Sequence, residues 1–373
     1  MSRKIIHLIA AARPNFMKVA PLYHVLALQD WCVPRIVHTG QHYDANMSDA
    51  FFKDLRLPEP AHHLGVGSGT HAEQTGRTMI AYEGICLRER PDAIVVVGDV
   101  NATAACAMVG TKQWIPVVHL EAGLRSRDRR MPEEINRLVT DAIADLLWTP
   151  SKDADANLIA EGIPPQKIDC IGNIMIDSFE MLRAKIEAAD TCERLGLAGK
   201  PFAVVTLHRP SNVDDREKLE ELVSALAQVS RALKVMFAIH PRTRKRLEEF
   251  GLLDRVTGNG AIRVTDPLSY VEFMNLVTRC TIAITDSGGV QEEATALGKP
   301  VLVLREETER QEGVRAGALK LVGTDPNKIV KEAERLLGNA AAYRRMSQAS
   351  DVFGDGHSAA RITKILERSL TRR

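Results

Sequence analysis

Carboxylates recur at one kind of place in this chain, directly after short apolar runs. Asp99 follows the run 93–97 across Gly98, and Glu121 follows Val117-Val118-His119-Leu120. A third, Glu133, stands beside Pro132 at the start of a helical-period segment and four residues before Arg137, a spacing that sets both on one helix face. Carboxylates gathered this way can take and return protons or stabilise a cationic centre. Taken singly, each has a plainer role: Asp99 as a helix cap, Glu133 and Glu134 as first-turn charge facing the helix dipole. Upstream, Ala12-Arg13-Pro14-Asn15-Phe16-Met17-Lys18 opens a helix with Arg13 and Lys18 about one turn apart, either a clamp for an anion or a solvated helix start.

The second half carries different residue types. His208 follows the run 202–206 and is flanked by Arg209, while His240 follows the next run in Ile239-His240-Pro241-Arg242. A lone histidine is usually structural; one at a strand's carboxyl end beside an arginine is a site candidate. Asp286-Ser287-Gly288-Gly289 then leads into Val290-Gln291-Glu292-Glu293. Residues poor in side chain at a helix start let backbone amides meet phosphate oxygens, which the helix dipole also favours. Glu293, one turn inside, is placed to accept from ribose hydroxyls, and Arg305 and Arg310 follow a further run. An ordinary tight turn capped by Ser287 is the plainer alternative.

The elements that must position these residues alternate. Apolar runs at 5–10, 35–38, 93–97, 116–120 and 147–149 each lead through a turn into a helical-period segment, and the pattern restarts at 202–206, 235–239, 262–265, 282–285 and 300–304. Buried parallel strands alternating with helices read this way. The fold class is therefore α/β, with two Rossmann-like doubly wound domains and a cleft between them; 373 residues suit two cores better than one. The first domain is expected over 1–174, completed by a C-terminal helix in 357–373, and the second over 175–356. Functional residues belong at the strands' carboxyl ends, where loops converge.

Composition narrows the partners. Lys and Arg number 49 against 48 Asp and Glu, so no overall field marks nucleic acid or an anionic membrane. Six scattered cysteines without a CxxC pair fit reduced thiols, and the N-terminal run ends in Arg13-Pro14 without a cleavage signature, so a cytoplasmic location is expected. No Gly-x-x-x-x-Gly-Lys-Ser/Thr loop occurs, and Gly65-Val66-Gly67-Ser68-Gly69 lacks the strand-to-helix setting of a dinucleotide fingerprint. Asp153-Ala154-Asp155 reads as a helix start after Ser151, and neither a metal nor a cofactor is expected.

Together these segments resemble the non-hydrolysing UDP-N-acetylglucosamine 2-epimerase family. The matching stretches are 12–22, Thr39-Gly40-Gln41-His42, Val97-Gly98-Asp99, 119–125, 132–137, Leu207-His208-Arg209, 287–300 and 308–325, in the family's order across nearly the whole chain. The resemblance implies a GT-B-like architecture, a homodimer, a place in polysaccharide biosynthesis, and UDP held mainly by the second domain. It makes Asp99, Glu121, Glu133 and His208 the catalytic groups, supported by Arg13, Lys18 and Arg137. Ser287, Gly288 and Gly289 would meet the diphosphate, Glu293 the ribose, and His240 and Arg310 the same ligand. The implied reaction eliminates UDP across C1 and C2, holds the resulting glycal, and adds UDP back after a proton reaches the other face of C2.

The chain departs from the family's common pattern in places. It has Ala11-Ala12-Arg13-Pro14-Asn15 where Gly-Thr-Arg-Pro-Glu is frequent, and Pro210-Ser211-Asn212 after His208-Arg209 where Arg-Glu-Asn is frequent. It also has Gln41-His42-Tyr43-Asp44-Ala45-Asn46-Met47 near the segment that many bacterial members use for activation by substrate, so that regulation is not carried over. The same epimerisation on a UDP-2,3-diacetamido-uronic acid is an alternative. A hydrolysing epimerase, a GT-B glycosyltransferase and a non-catalytic UDP-sugar binding protein are the rivals.

Overall fold

The structure, a computed structural model, describes residues 3–40, 52, 54–348 and 352–371, with the side chain of Arg13 outside the description. These fall into two compact units, one ending at Met181 and resuming at Gly354, the other Leu182–Phe353. In the first, β1 (Lys4–Ala10), β2 (Cys32–His38), β3 (His62–His63), β4 (Ala93–Val97), β5 (Val117–Leu120), β6 (Leu146–Thr149) and β7 (Ile168–Cys170) form a parallel sheet in the order β3-β2-β1-β4-β5-β6-β7. Its central strands are apolar along their whole length because helices cover both faces: every residue of Ala93–Val97 is buried. The order reverses at β1 and β4, so the loops leaving these two strands diverge and open a crevice for a ligand.

The second unit repeats the plan with β8 (Phe202–Thr206), β9 (Lys234–Ala238), β10 (Ile262–Thr265), β11 (Ile282–Thr285), β12 (Val301–Val303) and β13 (Leu319–Leu321), in the order β10-β9-β8-β11-β12-β13. Here the switch lies between β8 and β11, the strands that lead to His208 and to Ser287. Both faces of its sheet are buried: Val205, Phe237, Ile284 and Leu302 share one face, and Val204, Met236 and Ala283 the other.

The helix Ile174–Ala188 contains the division between the units at 181/182, although the sequence suggested a change near 175. Its first turns are anchored in the first unit. Ser178 Oγ donates to the Met17 carbonyl at 2.5 Å, and the Asp177 carboxylate accepts from the amides of Ser358 and Ala359 at 3.1 and 2.8 Å. Asp177 thereby satisfies free donors at the start of the C-terminal helix Ser358–Thr371, which belongs to the first unit.

Three strands lie beyond the runs read from sequence: β3, β7 and β13, each two or three residues long at or near a sheet edge. Because β3 exists, the segment 65–69 does run from a strand into the helix His71–Arg88, contrary to the expected setting. Gly65 allows a close backbone approach. A Cβ on Gly40, itself at φ +76°, would stand 3.2 Å from the Gly65 Cα, and the Val66 amide donates to the Thr39 carbonyl at 3.0 Å.

Candidate active site

In the first unit the loops after β1, β4 and β5 converge on Gly98. Its φ of +70° makes the turn, and a Cβ there would meet Glu121 Oε2 at 3.4 Å, Asn15 Nδ2 at 3.6 Å and Lys18 Nζ at 3.6 Å. Asn15 ties this corner together: its Oδ1 accepts from the Ala12 amide at 2.9 Å, and its Nδ2 donates to the Val97 carbonyl at 3.0 Å. Lys18, on the same helix Arg13–Ala27, forms an ion pair with Glu121, both side chains being largely buried. Glu121 takes a φ of +73°, a left-handed conformation that costs a non-glycine residue about 1–2 kcal/mol. Backbone held in such strain clusters at functional positions.

Asp99 leaves the same turn and pairs with Arg137, its side chain 37 % exposed against 8 % for the arginine. The carboxylate that fixes Arg137 from behind is Glu134, at 2.7 Å, and not Glu133, whose side chain is exposed. The i,i+3 partner prevails because the loop folds back onto it: Glu134 accepts from the amides of Ser126 and Arg127, both at 2.9 Å, and from Ser126 Oγ at 3.0 Å. Burial alone would raise the Glu134 pKa, but these amides and Arg137 bring it below the usual range.

A second layer supports the Gly98–Asp99 turn. His119 is fully buried, with Nε2 2.8 Å from the Gly98 carbonyl and Nδ1 2.6 Å from Asp141. Asp141 also faces Arg125 at 2.7 Å, and Arg125 reaches Glu161 at 2.6 Å. Burial pushes the Asp141 pKa up; His119 and Arg125 overcome it and hold the carboxyl below its ordinary value. Sequence gave no sign of the Asn15 or Asp141 roles, since each depends on partners far along the chain.

In the second unit β8 delivers His208 beside Asp286, which follows β11. Asp286 is fully buried; it accepts from the amides of His208 and Arg209 at 3.0 and 2.9 Å and lies 3.0 Å from His208 Nδ1. His208 is thereby oriented with Nε2 turned away from its carboxylate partner. The His240 ring lies 5.6 Å from that of His208. His240 also caps the helix Pro241–Glu249, accepting from the Arg242 amide at 3.2 Å.

Ser287 caps the helix Gly288–Ala296, accepting from the Val290 amide at 3.5 Å. The Arg310 guanidinium lies across this helix start, where a Cβ on Gly288 would meet it at 3.0 Å; Gly289 faces open space. Glu292 holds Arg310 at 2.7 Å, and Glu309 holds Arg305 at 2.8 Å. Burial would raise the Glu309 pKa, yet the Arg305 hydrogen bond and the Arg310 charge bring it down to about 2. Arg209 is half-buried, and among the described residues its Nε has no hydrogen-bond partner. Glu293 accepts from the Tyr270 hydroxyl at 2.7 Å; burial pushes its pKa up to about 8, with the Glu292 charge adding to the rise and Tyr270 opposing it.

The first unit thus assembles Asp99, Glu121, Lys18 and Arg137, and the second assembles His208 with His240 and, separately, Ser287, Gly288, Gly289 and Arg310. Among the described residues Glu133 joins no partner that would orient it. Arg13 begins the helix that carries Lys18. The segment 41–47 lies outside the described residues.

A family model described as UDP-N-acetylglucosamine 2-epimerase matches residues 26–367. A UDP-N-acetylglucosamine 2-epimerase of Methanocaldococcus jannaschii is 41% identical over 366 residues, covering 96% of this chain and 98% of the relative. A UDP-2,3-diacetamido-2,3-dideoxy-D-glucuronate 2-epimerase of Pseudomonas aeruginosa is 39% identical over 362 residues, covering 96% and 98%. Among solved structures, the M. jannaschii UDP-GlcNAc 2-epimerase in complex with UDP-GlcNAc and UDP matches with a TM-score of 0.86 and 40% identity, over 97% of this chain and 99% of that one.

Proposed function

The chain belongs to the UDP-N-acetylglucosamine 2-epimerase family, and from that premise we propose that it interconverts UDP-N-acetylglucosamine and UDP-N-acetylmannosamine by eliminating and re-adding UDP. The carrying observation is the turn at Gly98, where Asp99 and Glu121 each sit against a cation at the strand ends of a doubly wound sheet. The C2 proton of such a sugar has no neighbouring carbonyl, so loss of UDP from C1 must accompany its removal. In this reading Asp99, Glu121 and Glu133 divide the work of moving the proton and stabilising the cationic anomeric centre. Lys18 and Arg137 hold two of these carboxylates in place.

The second unit takes the departing group. Amides at the start of Gly288–Ala296, with Arg310 and Arg209, receive the diphosphate as its charge grows. His208, oriented by Asp286, donates a hydrogen bond to the same oxygens, and Glu293 accepts from the ribose. Redox chemistry has no part in the sequence of steps, because UDP leaves and returns, and C2 loses one proton and gains one, exchangeable with solvent, without a change in oxidation level.

The test is proton NMR of the purified protein with UDP-N-acetylglucosamine in deuterated water. UDP-N-acetylmannosamine should appear, with deuterium at C2 of both epimers. No exchange with this sugar, together with turnover of UDP-2,3-diacetamido-2,3-dideoxy-D-glucuronate, would move the substrate to that second reading, which the 39% identity to the Pseudomonas aeruginosa enzyme favours. Free N-acetylmannosamine as the main product would move the reading to a hydrolysing epimerase. A homodimer working in polysaccharide biosynthesis in the cytoplasm accompanies the proposal; among the described residues no helix is long and apolar enough to cross a membrane.

A further inference from the structure

In the middle of β1, three side chains that play no part in the proposed chemistry turn toward one point. His7 is fully buried, its Nδ1 lies 3.1 Å from the Tyr82 hydroxyl, and among the described residues its Nε2 has no hydrogen-bond partner. His62 on β3 is in the same condition at Nε2, which lies 3.6 Å from Glu89 Oε2. His7 Nε2 lies 3.9 Å from Glu89 Oε1, and the potential ligand atoms of all three residues fall within 4.8 Å of one another. The sheet dictates this meeting. His7 pairs with Arg35 and His62 with Val37, so the three strands present these side chains on one face, and Glu89 closes the gap at the C-cap of His71–Arg88.

Buried polar atoms without partners are rare, and two imidazole nitrogens converging on a carboxylate offer only lone pairs to each other unless a proton or a cation lies between them. We propose that His7, His62 and Glu89 bind a divalent transition-metal ion, with Zn²⁺ suited to two imidazoles and one carboxylate. The Tyr82 hydroxyl on the far nitrogen of His7 fixes its ring, as outer partners of metal-binding histidines do. Metal–ligand bonds of about 2.0–2.2 Å place the ligand atoms about 3.4 Å apart, so those now up to 4.8 Å apart must draw together by up to about an ångström and a half. Glu89 has an extended backbone beyond the helix, and His62 sits on a two-residue edge strand, so both can follow. The ion joins β3 and the end of the helix to β1; its role is structural.

Arg35 opposes binding. Its Nε lies 2.7 Å from Glu89 Oε1, and its side chain is 40% exposed, so the guanidinium must turn toward solvent when the ion enters. It therefore sets the affinity. The experiment is calorimetric titration of the untagged, chelator-stripped full chain with Zn²⁺, repeated with Co²⁺ to read imidazole coordination by visible absorption. One equivalent should bind and raise the Tm. His62→Gln, at the sheet edge, should weaken binding at least tenfold while leaving epimerase turnover unchanged, and Arg35→Gln should strengthen it at least tenfold. Equal affinity in the wild type and His62→Gln would overturn the assignment, as would no saturable uptake by either the wild type or Arg35→Gln, which would leave a bridging water in its place.

Discussion

At the strand ends of the first unit, Asp99, Glu121 and Glu134 each face a cation within the protein, Lys18 or Arg137. At the strand ends of the second, Arg209, Arg305 and Arg310 gather near a helix start whose amides point outward, and among the described residues the buried Nε of half-buried Arg209 has no hydrogen-bond partner. Burial and the Arg305 charge press the Arg209 pKa down. The difference fits the proposed division of the chemistry. Carboxylates that move a proton need to be held in place before the sugar arrives, whereas a diphosphate brings its own charge and is met by helix-start amides and by a donor such as the Arg209 Nε.

The largest expected effect tests this division directly. Asp99→Asn keeps the size and the Arg137 contact but removes one of the carboxylates to which the proposal gives proton transfer, so turnover should fall by about a hundredfold or more. UDP affinity, measured by calorimetry, should stay within about threefold. A large loss of UDP binding would mean that the first unit also carries the nucleotide, and the contrast between the units would collapse.

Next in size is the contrast within one helix turn. Glu134 is 2 % exposed and accepts from two amides, a hydroxyl and a guanidinium, so Glu134→Gln should cost about 2–3 kcal/mol of unfolding free energy. Glu133→Gln should change stability by no more than about 0.5 kcal/mol while lowering turnover. Denaturant titration beside a progress curve separates the two. A destabilised Glu133→Gln, or a stable Glu134→Gln with lost turnover, would exchange their roles.

That pair also shows where the sequence stops being readable. Strands such as Ala93–Val97 were legible because a strand buried on both faces must be apolar throughout, and Asp99 and Glu121 were legible because they stand where such runs end. β3 was not, since His62–His63 is extended only through pairing with β2. Whether Glu133 or Glu134 meets Arg137 depends on amides of a loop that folds back, and helix periodicity is silent on that. The Lys18–Glu121 pair joins residues 103 apart, too distant for any local pattern to announce.

The smallest effect concerns Glu293, whose pKa is pushed up to about 8 by burial. A raised carboxyl pKa makes a contribution to folding that is fully present below about 4.5 and is lost as pH rises through 8. Ribose hydroxyls hydrogen-bond the ionised form better, so binding UDP must draw the proton off. Below the pKa each pH unit costs about tenfold in the ionised fraction, or about 1.4 kcal/mol. UDP affinity of the wild type should therefore climb by up to about tenfold between pH 7 and 9, a range above the last ionisation of the diphosphate. Glu293→Ala should bind UDP about tenfold more weakly at pH 9 and show no such climb. A climb that persists in Glu293→Ala would assign the titration to another group, and unchanged affinity at pH 9 would remove the ribose from this carboxylate.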